Sequence, residues 1–218
     1  MSALQYLTFT HPDICFAVNK VCQFMHASTY SHWTAVKCIL CYLKGTTSYG
    51  FHITRGSFFA LHGFTDADWA YSINDYKSTG DYLVFFGQTS ISWKFSKQSI
   101  IARSSTETKY KVLADDTIKV IWLQYLLTDR QVPFISTPTI WCDNLGAIYL
   151  STNPVFHACT KHVEVDYQFV RDWAAKKEIQ IHFIPSQDQF ADVFTKLFSD
   201  ASFIAFRYKF RVDPIPSA

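Results

Sequence analysis

The residues best suited to chemistry are carboxylates placed at the polar ends of apolar segments. Asp66 and Asp68 stand one residue apart in residues 64–70, F-T-D-A-D-W-A, just after Phe58, Phe59 and Leu61. Asp143 follows the apolar run Thr139-Ile140-Trp141-Cys142, and Asp192 lies on a helix expected to begin near Ser186. Carboxylates converging on one sheet edge from separate elements are what a divalent-metal site needs. Magnesium takes oxygen ligands and keeps several waters, so a few acidic side chains suffice. Two such ions can activate water and stabilise the leaving oxygen of a phosphodiester. A lone D-x-D is also an ordinary way for a strand to end in a polar turn. What the pair means therefore depends on the fold around it.

Other reactive residues carry less. Six cysteines are scattered through the chain, and the C-x-x-C of Cys38 and Cys41 falls in a helical pattern with no second pair to complete four ligands. His157 and His162 precede or open a helix, where packing and a role beside a site are both open readings. Trp93, Trp122 and Trp141 fall on apolar faces and are expected in the core.

The totals set wide bounds. The 218 residues allow one good domain plus an appendage. With 49% hydrophobic and 17% charged residues a core is available and global disorder is excluded. A net charge of +2 leaves any nucleic-acid surface to local basic patches. No apolar run approaches the roughly 20 residues that span a bilayer, and the N-terminus lacks a signal-peptide pattern. An intracellular protein, cytoplasmic or nuclear, is expected.

Residues 1–49 read as helices, with Pro12 in a first turn and Gly45 closing the second helix. Residues 58–96 read as three strands of an antiparallel meander, with Ile91, Trp93 and Phe95 alternating with polar neighbours. Ser104 and Glu107 have capping-box spacing at the start of a long helix. A strand, a short helix, the helix of residues 161–177, the strand of residues 178–184 and a last helix complete the order. Within the third helix Val165, Phe169, Val170 and Trp173 are expected to face inward. Strands followed by alternating helix and strand predict an α/β fold, a mixed sheet with helices on its faces.

Seven segments, in order, carry a resemblance: Y-L-T-F-T-H-P-D-I (6–14), C-Y-L-K-G-T (41–46), F-T-D-A-D-W-A (64–70), A-R-S-S-T-E-T-K-Y (102–110), W-C-D-N (141–144), F-H-A-C-T-K-H-V-E-V-D (156–166) and D-Q-F-A-D-V-F-T-K (188–196). Together they resemble the Pol polyprotein of copia-type LTR retrotransposons, a class of transposable element. The resemblance implies a helical remnant of the reverse-transcriptase thumb and connection over 1–49, a ribonuclease H-like domain with a mixed five-stranded sheet over 58–198, and a C-terminal tail over 199–218. That tail resembles the polyprotein's natural end, which places the missing part on the N-terminal side. The polymerase Y-x-D-D motif is absent, so no DNA synthesis is expected.

By the same resemblance the domain is a hydrolase that cuts the RNA strand of RNA–DNA hybrids with two Mg²⁺ ions. Asp66 matches the metal-bridging aspartate, Asp143 that of the fourth strand and Asp192 that of the last helix, with Asp68 a peripheral neighbour. The fourth carboxylate belongs on the long helix, where the family reads S-T-E-A-E-Y and this chain reads Ser105-Thr106-Glu107-Thr108-Lys109-Tyr110. Lys109 stands at the ligand position. An ammonium brings positive charge and no lone pair. Glu107 is the possible substitute, but two residues apart on a helix the side chains point about 200° apart. Cleavage is expected to be weak or absent.

Further departures from the family are His11, Cys38, Cys41 and Cys159 at arginine positions, Leu197 for proline, Phe190 for leucine and Tyr71 for glycine. Most correspond to single C-to-T or G-to-A codon changes, the spectrum expected from deamination of methylated cytosine in a silenced element, which the nucleotide sequence would test. Gly80-Asp81 stands where the family has Ser-Gly and is expected to strain the first hairpin. Three functions follow. One is a ribonuclease H fragment of low activity. Another is a nucleic-acid-binding module using Lys94, Lys97 and Arg103, with Lys109 and Trp93 beside them. The third is a decayed transposon product without function.

Overall fold

The computed structural model describes residues 2–53, 59–70, 75–132, 136–152, 161–194 and 200–215. It divides into two compact units, one of residues 55–195 and the other of residues 1–54 with 196–218.

In the larger unit the sheet is built on β2 (Leu61–Asp68), whose ladders run antiparallel to β3 (Thr79–Phe86) and parallel to β5 (Thr139–Cys142). β4 (Thr89–Lys97) extends the antiparallel side and β6 (Gln180–Phe183) the parallel side, giving the order β4-β3-β2-β5-β6. This is the mixed five-stranded sheet expected from the sequence. Gly87, at φ 58°, makes the tight β3–β4 turn, a conformation that suits glycine. β2 is buried almost throughout, as a central strand covered on both faces must be.

The helix α4 (Ser105–Asp129) lies on one face of the sheet, and its Tyr110, Leu113 and Val120 are fully buried with Leu61, Val84 and Ile140. α5 (Leu145–Thr152) and α6 (Lys161–Ala175) complete that layer. On the opposite face an aromatic cluster joins Phe64 of β2 and Phe85 of β3 to Phe190, with ring centroids 4.8–5.7 Å apart. Phe190 opens a 3-10 turn, Phe190–Phe194.

Gly80 shows no hairpin strain. It pairs regularly with Ala67 and Ser96, and its lack of a side chain admits α4: a Cβ there would stand 2.2 Å from Val112 Cγ2. Trp122 is 52% exposed, with the Lys119 ammonium 4.1 Å from its ring centre, and Trp93 and Trp141 are half-buried. Val165 is exposed rather than inward, while Val170 is buried as expected.

The smaller unit holds α1 (Ser2–Leu7), α2 (Cys15–Cys22) and α3 (Tyr30–Gly45), packed through Leu4, Ile14, Val18, Val21, Val36 and Ile39. Cys38 and Cys41 are free thiols exposed on α3. The tail belongs to this unit rather than standing apart. Its α7 (Asp200–Lys209) buries Phe206, and its β7 (Val212–Pro214) pairs antiparallel with β1 (Tyr49–Phe51). Tyr71, His157, Cys159 and Leu197 lie outside the described residues, as does the side chain of His162. No helix among the described residues is long and apolar enough to cross a membrane.

Candidate active site

β2 carries Asp66 toward its end, and the parallel partner β5 delivers Asp143 one residue past its own end. Asn144, next in the chain, turns away from the site. Its Oδ1 accepts a hydrogen bond of 2.8 Å from the Ala147 backbone and starts α5. Asp143 is thereby left to face Asp66.

Lys109 fills the space between them. Its Nζ donates to Asp66 Oδ1 at 3.1 Å and to Asp143 Oδ1. The second oxygen of Asp143 accepts from Ser186 Oγ at 3.1 Å. The three side chains are nearly buried, at 16%, 5% and 6% exposure. Burial opposes the lysine's charge, but Asp66 first and then Asp143 outweigh it and lift the ammonium above its ordinary pKa. Lys109 is a fixed cation held by two carboxylates.

Glu107 is engaged elsewhere. Its backbone N–H donates to Ser104 Oγ at 3.1 Å, the capping contact the spacing predicts. Its Oε2 accepts from the Arg103 N–H at 2.8 Å, one residue upstream of the usual reciprocal bond, and its Oε1 from Lys111 Nζ at 3.2 Å. Glu107 closes the helix start and does not take the place of a missing ligand.

Asp192 sits on the 3-10 turn Phe190–Phe194, not on the helix expected there. Gln189 explains the short turn: its Nε2 donates to the Thr65 carbonyl of β2 at 3.0 Å, and its Oε1 accepts from the Ala191 N–H at 3.3 Å. Among the described residues, no three His, Cys, Asp or Glu side chains are grouped as a metal ion requires. Asp66 and Asp143 meet, Asp192 does not complete a cluster with them, and an ammonium takes the oxygens a dication would use. These residues do not fit a two-metal centre.

Two participants escaped the sequence. Ser186 has no motif to mark it. Asp81 is the direct cross-strand partner of Asp66, and both are buried. Its place opposite Asp66 depends on the β2–β3 register, which the Gly87 turn between β3 and β4 does not set. Of the basic residues, Lys94 and Lys97 lie on β4 and Arg103 before α4, all exposed. Lys94 pairs with Asp115 at 2.9 Å and Lys97 with Asp75 at 2.8 Å.

The chain is 41% identical over 216 residues to the retrovirus-related Pol polyprotein of transposon RE2 from Arabidopsis thaliana, covering 99% of this chain and 15% of that one. It belongs to the retrotransposon Pol polyprotein family. The Pol polyprotein of transposon RE1 from the same plant is 42% identical over 216 residues, and that of the tobacco transposon TNT 1-94 is 35% identical over 90% of the chain. The chain spans about 15% of the length of these curated relatives. No family model matches it. Among solved structures, the N-terminal ribonuclease H domain of a Mycobacterium tuberculosis protein has a TM-score of 0.46 at 10% identity, over 69% of this chain and 97% of that one. A foamy viral protease-reverse transcriptase solved with an RNA/DNA hybrid has a TM-score of 0.49 at 12% identity, over 79% of this chain and 21% of that one.

Proposed function

We propose that this Pol segment is a ribonuclease H domain that holds an RNA–DNA hybrid without hydrolysing it. The Lys109 ammonium between Asp66 and Asp143 is the observation that carries this reading. Magnesium would have to displace a lysine tethered to the same helix and bound to both carboxylates. A tethered competitor acts at a high effective concentration, so it is not diluted away. With no metal-bound water and no cation at the leaving oxygen, the remaining groups cannot perform phosphodiester hydrolysis by the two-ion route.

Binding does not need the metals. Hybrids are recognised through backbone shape and 2′-hydroxyls, and the exposed Arg103, with Lys94 and Lys97 in exchangeable surface ion pairs, offers positive charge for that.

The test combines a hybrid-cleavage assay in Mg²⁺ with fluorescence anisotropy on the same hybrid. Salt-dependent binding without cleavage is expected. Restoring the carboxylate with Lys109→Glu should raise cleavage by at least ~100-fold, the scale for returning one stabilising group to a reacting centre. Robust cleavage by the unaltered chain, abolished by Asp66→Asn, would sink the reading.

A further inference from the structure

A cleft of about 420 Å³ opens between β4 and α4, lined from the helix by Lys111, Val112 and Asp115. Three ammonium groups reach its wall: Lys94 and Lys97 from the strand and Lys111 from the helix. Ser96 and Ser99 add hydroxyls, which can also donate to anionic oxygens. Asp115 and Asp166 line the same wall, so the cleft already holds carboxylates against its cations.

The contacts differ in how easily they exchange. Lys111 is 14% exposed and fixed to the buried Glu107. Lys94 and Asp115 are 46% and 51% exposed. A pair that open to water contributes little to stability. An incoming anion therefore replaces Asp115 on Lys94 at little cost. Asp166, half-buried, has its carboxyl pushed up by desolvation, which eases its place beside an anion.

We infer that this cleft is a backbone-phosphate subsite, in which Lys94, Lys97 and Lys111 receive a nucleic-acid phosphate that displaces Asp115 from Lys94 and Asp75 from Lys97. The inference rests on the hybrid-binding reading above and assigns it a place. It also gives Asp115 a definite sign: removing a competitor must strengthen binding.

The experiment titrates a short labelled RNA–DNA hybrid against the full chain at several salt concentrations. Asp115→Asn should tighten binding about 3-fold or more. Lys94→Ala with Lys97→Ala should weaken it roughly 10-fold and reduce the slope of log K against log salt by roughly 1, the loss of one phosphate contact. Asp129→Asn, an exposed acid at the far end of the same helix, controls for net charge and should change little. Inorganic phosphate should compete better against the unaltered chain than against the double lysine variant. Binding that is indifferent to the cleft variants, or equal tightening by Asp115→Asn and Asp129→Asn, overturns the subsite while leaving hybrid binding intact. No binding in any variant overturns both.

Discussion

Asp81 on β3 stands directly opposite Asp66 on β2, two buried carboxylates in one antiparallel ladder. Directly paired side chains share a face with Cβ atoms about 5 Å apart, where like charges repel. Lys109 therefore offsets more negative charge than the two aspartates it touches. Lys109→Met should destabilise the domain by about 3–5 kcal/mol, the usual result of removing one partner from a buried ion pair. Adding Asp81→Asn to that variant should recover part of the loss. Urea unfolding of the single and double variants measures both.

On the proposed reading, a lysine bound to Asp66 and Asp143 also takes over the stabilising effect that a metal would have there. A ligand that binds only the folded state raises the melting temperature by mass action. The unaltered chain should melt at the same temperature in 10 mM-scale Mg²⁺ as in EDTA, since its carboxylates are already bound. Lys109→Glu should melt lower in EDTA and rise with added Mg²⁺. Thermal scans with and without the ion distinguish the two.

Asp116 points into the core of the larger unit from α4. It is fully buried, neither carboxyl oxygen has a hydrogen-bond partner, and desolvation first and Asp115 second hold its pKa well above the carboxylate range. Tyr82 from β3 faces it, pushed up to about 12 mainly by its own burial and then by the Asp116 charge. The sign follows from the folded pKa lying above the unfolded one. The neutral acid's contribution is complete below the unfolded pKa and is lost as pH rises through the folded pKa. Stability should fall on going alkaline by up to about 1.4 kcal/mol per pH unit from this group. Asp166, also raised by burial, acts in the same direction, while the lowered pKa of His62 acts in the opposite one. Asp116→Asn isolates the effect. Its denaturation profile should be flatter with pH and should lie above that of the unaltered chain at pH 8.

Gly63 on β2 leaves room for that same carboxyl. A Cβ at position 63 would stand 2.1 Å from Asp116 Oδ2. Gly63→Ala should be destabilising by about 1–3 kcal/mol, the range for overpacking a core. The obstacle is a side-chain end, so Asp116→Ala should relieve most of it. A double-mutant cycle with a coupling near zero would overturn this account.

The sheet was legible because its signals are local: alternation along β4, strand ends marked by Asp66 and Asp143, and the Ser104–Glu107 cap. Lys109 was legible too, since the next turns of α4 fix its direction. What was lost depends on neighbours distant in sequence. Trp122 looks like a core residue but lies on the solvent side of α4, where Lys119 covers its ring. Val165 belongs to an apolar pattern, but α6 turns it outward. The Asp192 segment reads as a helix until Gln189 is seen tied to β2. Asp81 becomes a neighbour of Asp66 only once the hairpin register is set, and nothing in a helical Asp-Asp pair announces that Asp116 is buried without a partner.

The pairing of β1 with β7 has a consequence for biosynthesis. Residues 49–51 find their strand partners only at 212–214, after the whole larger unit has been made. A contact of such long sequence separation forms late, because the intervening chain must first be ordered. Helices α1–α3 are synthesised before residues 200–215 yet must wait for them. A premature stop anywhere in the larger unit would leave these helices without that partner segment.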